Sequence, residues 1–185
     1  MHVFIFRRDF RTRDNIALDS LAQTINGEPI TPVFILNKVQ ADPSRNPYYS
    51  KKCFDFMMQG LASLNKDTGN MLSILTSSKL GDLDILTKLK NAGVKTIAFN
   101  EDLTPFARKR DQLIKDWCRA NGIECITSTE EYSLVPPMTM PKPALKYTPF
   151  FEKYKTIKIN ILPQKSFKFS NEMASFLNGF GFSPC

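Results

Sequence analysis

Five short apolar runs constrain this chain more than anything else in it, because helical spacing separates each run from the next. The runs are Val3–Phe6, Ile30–Asn37 with Val33 to Leu36 continuous, Met71–Leu75, Val94–Phe99 and Ile123–Thr127. Val3–Phe6 and Val33–Leu36 are apolar throughout, as expected of a strand covered on both faces. Between them, Ile16, Leu18, Leu21, Ala22 and Ile25 repeat at helical spacing behind a capping Asn15. So do Phe54, Met57, Met58, Leu61 and Leu64 in a helix from Ser50 to about Lys66, where the methionines read as core filling. A third helix starts near Gly81 or Asp82 and carries Leu83, Ile85, Leu86 and Leu89. A fourth starts at Pro105 and carries Ala107, Leu113, Ile114, Trp117 and Cys118. Gly27, Gly69, Gly93 and Gly122 close the helices, as glycine does where the chain must turn left-handed. Strands separated by helices pair in parallel through crossovers. The expected fold is therefore an α/β doubly wound three-layer sandwich with a five-stranded parallel sheet, Rossmann-like.

The domain so defined covers residues 1–130, and residues 131–185 have a different character. Pro136, Pro137, Pro141 and Pro143 predict an extended piece. Tyr147 to Tyr154 reads as aromatic and helical after Pro149. Phe167, Phe169, Phe176, Phe180 and Phe182 show no period and no evident layer to pack into. Two readings of that tail stand open: an apolar surface awaiting a partner, or a segment that folds back on its own sheet.

The chain has 185 residues and a net charge of +7, which suits an acidic partner such as nucleic acid and equally suits plain solubility. Cys53, Cys118, Cys125 and Cys185 form no Cys-x-x-Cys pair, and His2 is the single histidine. That excludes a recognisable zinc site and a histidine-based nucleophile. No run is long and apolar enough for a membrane span, and the arginines follow the first apolar run where a signal peptide would place them before it. An intracellular protein without a membrane partner is the expectation.

Two charge constellations fall at the C-terminal edge of the sheet, where open α/β sheets bind ligands. The first is Arg7, Arg8, Asp9, Arg11, Arg13 and Asp14, immediately after the first strand. Arginine forks there can hold a carboxylate or phosphate, or arginine–aspartate pairs can fix the loop. The second is Asn100-Glu101-Asp102 after the fourth strand, with Arg108, Lys109 and Arg110 one turn into the next helix. No glycine-rich turn follows the first strand, which disfavours a dinucleotide or P-loop phosphate cradle. Neither constellation supplies a catalytic pair.

Four segments, in order and at matching spacing, resemble the photolyase/cryptochrome family between Met1 and about Tyr154. They are Phe6-Arg7-Arg8-Asp9-Phe10-Arg11-x-x-Asp14-Asn15; Pro32-Val-Phe-Ile-Leu36; Asn100-x-Asp102-x-x-Pro105-Phe106-Ala-Arg108-Lys-Arg110-Asp111; and Glu131-Tyr-Ser-Leu134-x-Pro136-Pro137 followed by Tyr147-Thr-Pro-Phe150. The resemblance implies an antenna domain for light-dependent DNA repair, holding a folate or deazaflavin chromophore. FAD and damaged DNA are bound in that family by a separate helical domain, C-terminal to this one. Residues 131–185 would then lead toward that missing domain, and this chain alone is not expected to repair DNA. A helical FAD-binding half is the implied partner, with DNA met indirectly.

The family's folate branch carries an Asn-Glu pair where this chain has Phe106 and Ala107. That makes deazaflavin the favoured antenna. By alignment with the deazaflavin branch, Arg8, Asp9, Phe34 and Asp102 are the candidate chromophore residues, although a second acidic position of that branch is Thr104 here. The competing reading is a non-catalytic binding or regulatory module derived from the same family.

Overall fold

The structure, a computed structural model, describes residues 1–77, 80–132, 146–158 and 161–172. Its elements are β1 (His2–Phe6), α1 (Ile16–Thr24), β2 (Ile30–Asn37), a one-turn α2 (Lys38–Ala41), α3 (Lys51–Asp67) and β3 (Ser73–Ser77). After a single 3₁₀ turn (Leu80–Asp82) come α4 (Leu83–Asn91), β4 (Thr96–Asn100), α5 (Pro105–Ala120), β5 (Glu124–Ser128) and α6 (Tyr147–Tyr154). The strands form one sheet in the order β3-β2-β1-β4-β5, every neighbouring pair parallel. The expected doubly wound α/β sandwich is what forms.

Alternation along β1 explains the two cores. Phe4 and Phe6 join Leu18, Leu21 and Leu64 on the face covered by α1 and α3. Val3 and Ile5 join Ile85, Leu89, Ile114 and Cys118 on the face covered by α4 and α5. All five residues of β1 are buried, so this strand has no solvent side and must lie at the centre. Successive strands run outward from it in both directions, which leaves a switch point between β1 and β4.

Helix starts follow their caps. The Asn15 side chain accepts from Leu18 N at α1, Ser50 from Cys53 N at α3, and Thr104 from Ala107 N at α5, each satisfying an amide the helix cannot. Strand starts were displaced by helix ends. The strand expected at Met71 begins at Ser73, because Asn65 Oδ1 still holds Leu72 N at 3.2 Å. Val94 and Ile123 likewise donate back to Leu89 and Cys118 carbonyls. They finish a helix cap and leave the strands to begin at Thr96 and Glu124.

Gly81 shows how tightly α4 is entered. Its φ is +74°, and a Cβ there would lie 2.9 Å from Leu113 Cβ on α5. Gly81→Ala is expected to cost about 2–3 kcal/mol, strain and overlap together, read as a lowered urea midpoint. An unchanged midpoint would show that the turn is not held against α5.

Two expectations are corrected. Met57 and Met58 do not fill the core: both are half-buried, only Leu61 and Leu64 of α3 are buried, and Phe56 is 77% exposed. The helix is amphipathic, but its buried residues, Leu61 and Leu64, lie in its second half. Phe167 and Phe169 do find a layer. Ile30 N donates to Lys168 O at 2.8 Å and Ser170 N to Ile30 O at 3.0 Å. Phe169 thus forms a parallel bridge with Ile30, and both rings pack against the α1/α3 core. Leu162 N donates to Asp14 Oδ1 at 3.0 Å and Lys165 pairs with Asp19 at 2.5 Å. For this part of the tail, folding back is the observed outcome. The proline-rich piece 136–143 and Phe176, Phe180 and Phe182 lie outside the described residues. Helix α6 buries none of its residues.

Candidate functional site

At the switch point the ends of β1 and β4 are joined by a buried polar frame. Asp9, Asn15 and Asn100 are 1%, 2% and 0% exposed. Asn100 Nδ2 donates to Asp9 Oδ2 at 2.5 Å and contacts Asn15 Oδ1 at 2.9 Å, and Asn100 Oδ1 accepts from Ala17 N. Asn15 Nδ2 donates to Asp9 Oδ2 as well, at 3.2 Å. Asp9 Oδ1 accepts from Arg7 N at 2.8 Å and from the Tyr132 hydroxyl at 3.2 Å. One carboxylate therefore fastens β1, the cap of α1, the end of β4 and the segment after β5.

Arg7 turns to the opposite face of the sheet. Its guanidinium lies 5.4 Å from the Phe99 ring centroid, 3.3 Å from Asp82 Oδ2 and 4.0 Å from Asp111 Oδ1. Burial lowers the Arg7 pKa, with Arg110 nearby adding to it, and burial holds the Asp82 carboxyl above the usual range despite Arg7. The clamp ties α4 and α5 to β1 and takes no part in the crevice.

Three of the four predicted site residues come together at the crevice mouth. Arg8 is exposed, and its Nη1 donates to Asp102 Oδ2 at 3.2 Å. Arg8 N also donates to the Tyr132 hydroxyl at 3.4 Å, and so connects to Asp9. Partial burial pushes the Asp102 carboxyl up, but hydrogen bonds from Thr104 N and Arg8 outweigh it and leave the pKa below the ordinary value. Burial, then the neighbouring Asp9, raises the Tyr132 pKa, so this phenol stays protonated. Phe34 stands apart from these three. It is 7% exposed at β2, packed edge-on against Phe10 with ring centroids 5.5 Å apart. Phe10 is in turn held by Gly60 of α3, where a Cβ would fall 2.9 Å from its ring. Gly60→Ala is expected to displace Phe10 from Phe34 with little loss of helix. Altered ring-current shifts of both rings would report it, and unchanged shifts would refute the contact.

Tyr132 and Glu131 were legible only as part of the segment leaving the domain. Glu131 accepts from Ile16 N at 3.1 Å and pairs with Arg11. Its carboxyl is raised by burial even so. Nothing in spacing alone places either residue over the first loop. Asn100 carried a weak signal, an amide ending an otherwise apolar strand.

A separate cleft of about 430 Å³ lies away from the switch point, between Thr12–Arg13, the end of α3 and the tail at Lys165–Phe169. Among the described residues no group of three or more His, Cys, Asp or Glu could hold a metal, and no helix is long and apolar enough to cross a membrane.

The crevice offers donors and acceptors that hold and orient, without a nucleophile–base pair. Fold and site together define a Rossmann-like α/β domain with a polar switch point. The chain belongs to the DNA photolyase family, whose model matches residues 2–166. It is 28% identical over 130 residues to a (6-4) DNA photolyase of Oryza sativa subsp. japonica, covering 64% of this chain and 24% of that protein. An archaeal photolyase from Sulfolobus tokodaii, whose structure holds two FAD molecules, is 29% identical with a TM-score of 0.65. The match covers 91% of this chain and 37% of that one. A Synechocystis cryptochrome gives a TM-score of 0.70 at 20% identity, over 88% of this chain and 35% of that one. The last likeness shows the fold alone. This chain spans well under half the length of each of these relatives.

Proposed function

We propose that this domain binds a light-harvesting chromophore of the flavin or deazaflavin type at the switch-point crevice, in the service of light-dependent DNA repair. The observation that carries the reading is the Arg8–Asp102 pair at the crevice mouth, backed by Tyr132 and Asp9. A guanidinium and a carboxylate side by side complement the carbonyls and ring N–H on one edge of a flavin-like tricycle. Phe34 and Phe10 supply an apolar wall nearby, and Asp9 positions the loop from behind. The Sulfolobus photolyase, with its two FAD molecules and its implied light-harvesting cofactor, supports a tricyclic ligand.

A folate fits this chain less well. The positions where the folate branch carries Asn and Glu hold Phe106, 46% exposed, and Ala107, 2% exposed, and neither side chain can hydrogen-bond. When bound, the chromophore would absorb light and pass on its excitation energy; the residues named here only hold and orient it. Splitting a DNA lesion would then fall to the flavin-binding helical domain that the family resemblance implies.

The test is a parallel titration of the purified protein with a deazaflavin, FAD and a folate, followed by absorbance. The tricycles are expected to bind and shift their bands, with folate at least tenfold weaker. Preferential folate binding, or no binding of either tricycle, would overturn the reading.

A further inference from the structure

The single histidine stands outside the switch-point crevice, at the opposite edge of the sheet where the strands begin. Parallel register sets His2 beside Thr96 and Thr96 beside Glu124, three neighbours across β1, β4 and the edge strand β5. Two residues further along these strands, Phe4, Ala98 and Ile126 belong to or pack against the α1/α3 core. With a period of two, His2, Thr96 and Glu124 share that face. His2 and Thr96 are 8% and 2% exposed, and Glu124 is open to solvent.

Both ring nitrogens are engaged. His2 Nδ1 lies 3.1 Å from Thr96 Oγ1, and Nε2 lies 3.1 Å from Glu28 Oε2 in the turn after α1. Thr96 Oγ1 in turn donates to Glu124 Oε2 at 3.2 Å. A carboxylate only accepts, so the Nε2 contact needs a hydrogen on the ring. A hydroxyl has one hydrogen to give. While Thr96 gives it to Glu124, its oxygen can only accept from Nδ1. The three contacts taken together therefore require a hydrogen on each ring nitrogen. A ring that keeps only Nε2–H presents Nδ1 as a buried acceptor, and a buried acceptor without a donor is costly. The Thr96 hydroxyl is then the donor within its reach.

We propose that His2, Thr96 and Glu124 form a proton-driven hydrogen-bond relay from the central strand to the first residue of the edge strand. With the ring charged, Nδ1–H donates to Thr96 and the Thr96 hydroxyl donates to Glu124. When Nδ1 gives its proton to water, the hydroxyl turns to Nδ1 and lets go of the Glu124 side chain, while Nε2–H stays on Glu28. Imidazole is the side chain that exchanges a proton most readily near neutral pH, which makes such a relay sensitive to pH. The acids facing the ring and its partner are Glu28 and Glu124. The Met1 amino group precedes His2, Lys95 precedes Thr96, and Lys168 lies on the tail beside Ile30. Among the described residues none of these three cations bonds to the ring. The relay does not depend on what the crevice holds.

The test is an NMR titration of the isotope-labelled full chain from about pH 5.5 to 8.5, above the range where a glutamate in water titrates. It follows the His2 ring nitrogens and the side-chain carboxyl carbon of Glu124. In wild type the Glu124 signal is expected to move in one step, with the same midpoint as His2. T96V and T96A each remove the hydroxyl, so the Glu124 step should be lost in both while His2 still titrates. T96S keeps the hydroxyl and should keep the step, and H2Q should abolish it. Circular dichroism checks the fold of each variant. The proposal is overturned if Glu124 does not move with His2 in wild type, or if T96S loses the step. It is equally overturned if the step survives in T96V, T96A or H2Q. Survival without the hydroxyl would mean that Glu124 senses the ring's charge through space and that no hydrogen bond is exchanged.

Discussion

Arg7→Met is expected to destabilise the domain by about 3–5 kcal/mol, the range for removing one partner of a buried ion pair. The methionine refills much of the space beside Phe99 but leaves Asp82, 3% exposed, without its cation. Asp111 suffers less, because Arg110 remains 2.8 Å away. The loss should depend on pH in a definite direction. Burial already holds the Asp82 carboxyl above its unfolded value, so the folded state takes up this proton more readily than the unfolded chain does. Stability from this group therefore rises as pH falls through the folded pKa. Without Arg7 that pKa moves higher still, so the deficit of the variant narrows from pH 7 to pH 5. Urea denaturation at both values measures it. A small, pH-independent deficit would show that the Arg7 clamp is not a buried charge pair. Adding Asp82→Asn to the variant should recover part of the loss.

Asp9→Ala should cost about 3–4 kcal/mol, from the other side of the sheet. It removes the acceptor of Arg7 N and of the Tyr132 hydroxyl, and one of the two acceptors of Asn15 Nδ2 and of Asn100 Nδ2. Buried donors left without acceptors cost on the order of 1–3 kcal/mol each before relaxation. Asp9→Asn separates hydrogen bonding from volume. Its amide nitrogen must face donors from Asn15 and Asn100 or from Arg7 and Tyr132, so its cost should approach that of alanine. A near-neutral Asp9→Asn would mean that the frame tolerates a donor at this position. Thermal or urea unfolding of the two variants side by side decides it.

These two residues show what the sequence could and could not disclose. The strand–helix alternation placed five strands in a parallel sheet, because a strand buried on both faces cannot conceal its composition. It also put the Arg7–Asp14 and Asn100–Asp102 stretches at the same sheet edge. It did not say which of six alternating charges faces solvent. Arg7 and Asp9 are buried while Arg8 between them is open, and adjacent residues point to opposite faces only once the strand's register is known. The partners are equally distant in the chain: Asp82 comes from a turn after β3 and Tyr132 from beyond β5. Helical periodicity overstated α3 for a related reason, since amphipathic spacing says which face would be buried and not how much of that face is covered. The rings of Phe167 and Phe169 had no visible period because one isolated bridge, from Phe169 to Ile30 at the start of β2, and no regular element holds them.

Arg8→Ala and Asp102→Ala test chromophore binding at the crevice mouth most directly. The Arg8 side chain is 68% exposed, so breaking the pair should shift stability by no more than about 1 kcal/mol. Titrated with a deazaflavin, each variant is predicted to bind at least tenfold more weakly than wild type, and Arg8→Ala to unfold at nearly the same urea concentration. Wild-type affinity in either variant would place the chromophore elsewhere and contradict the account.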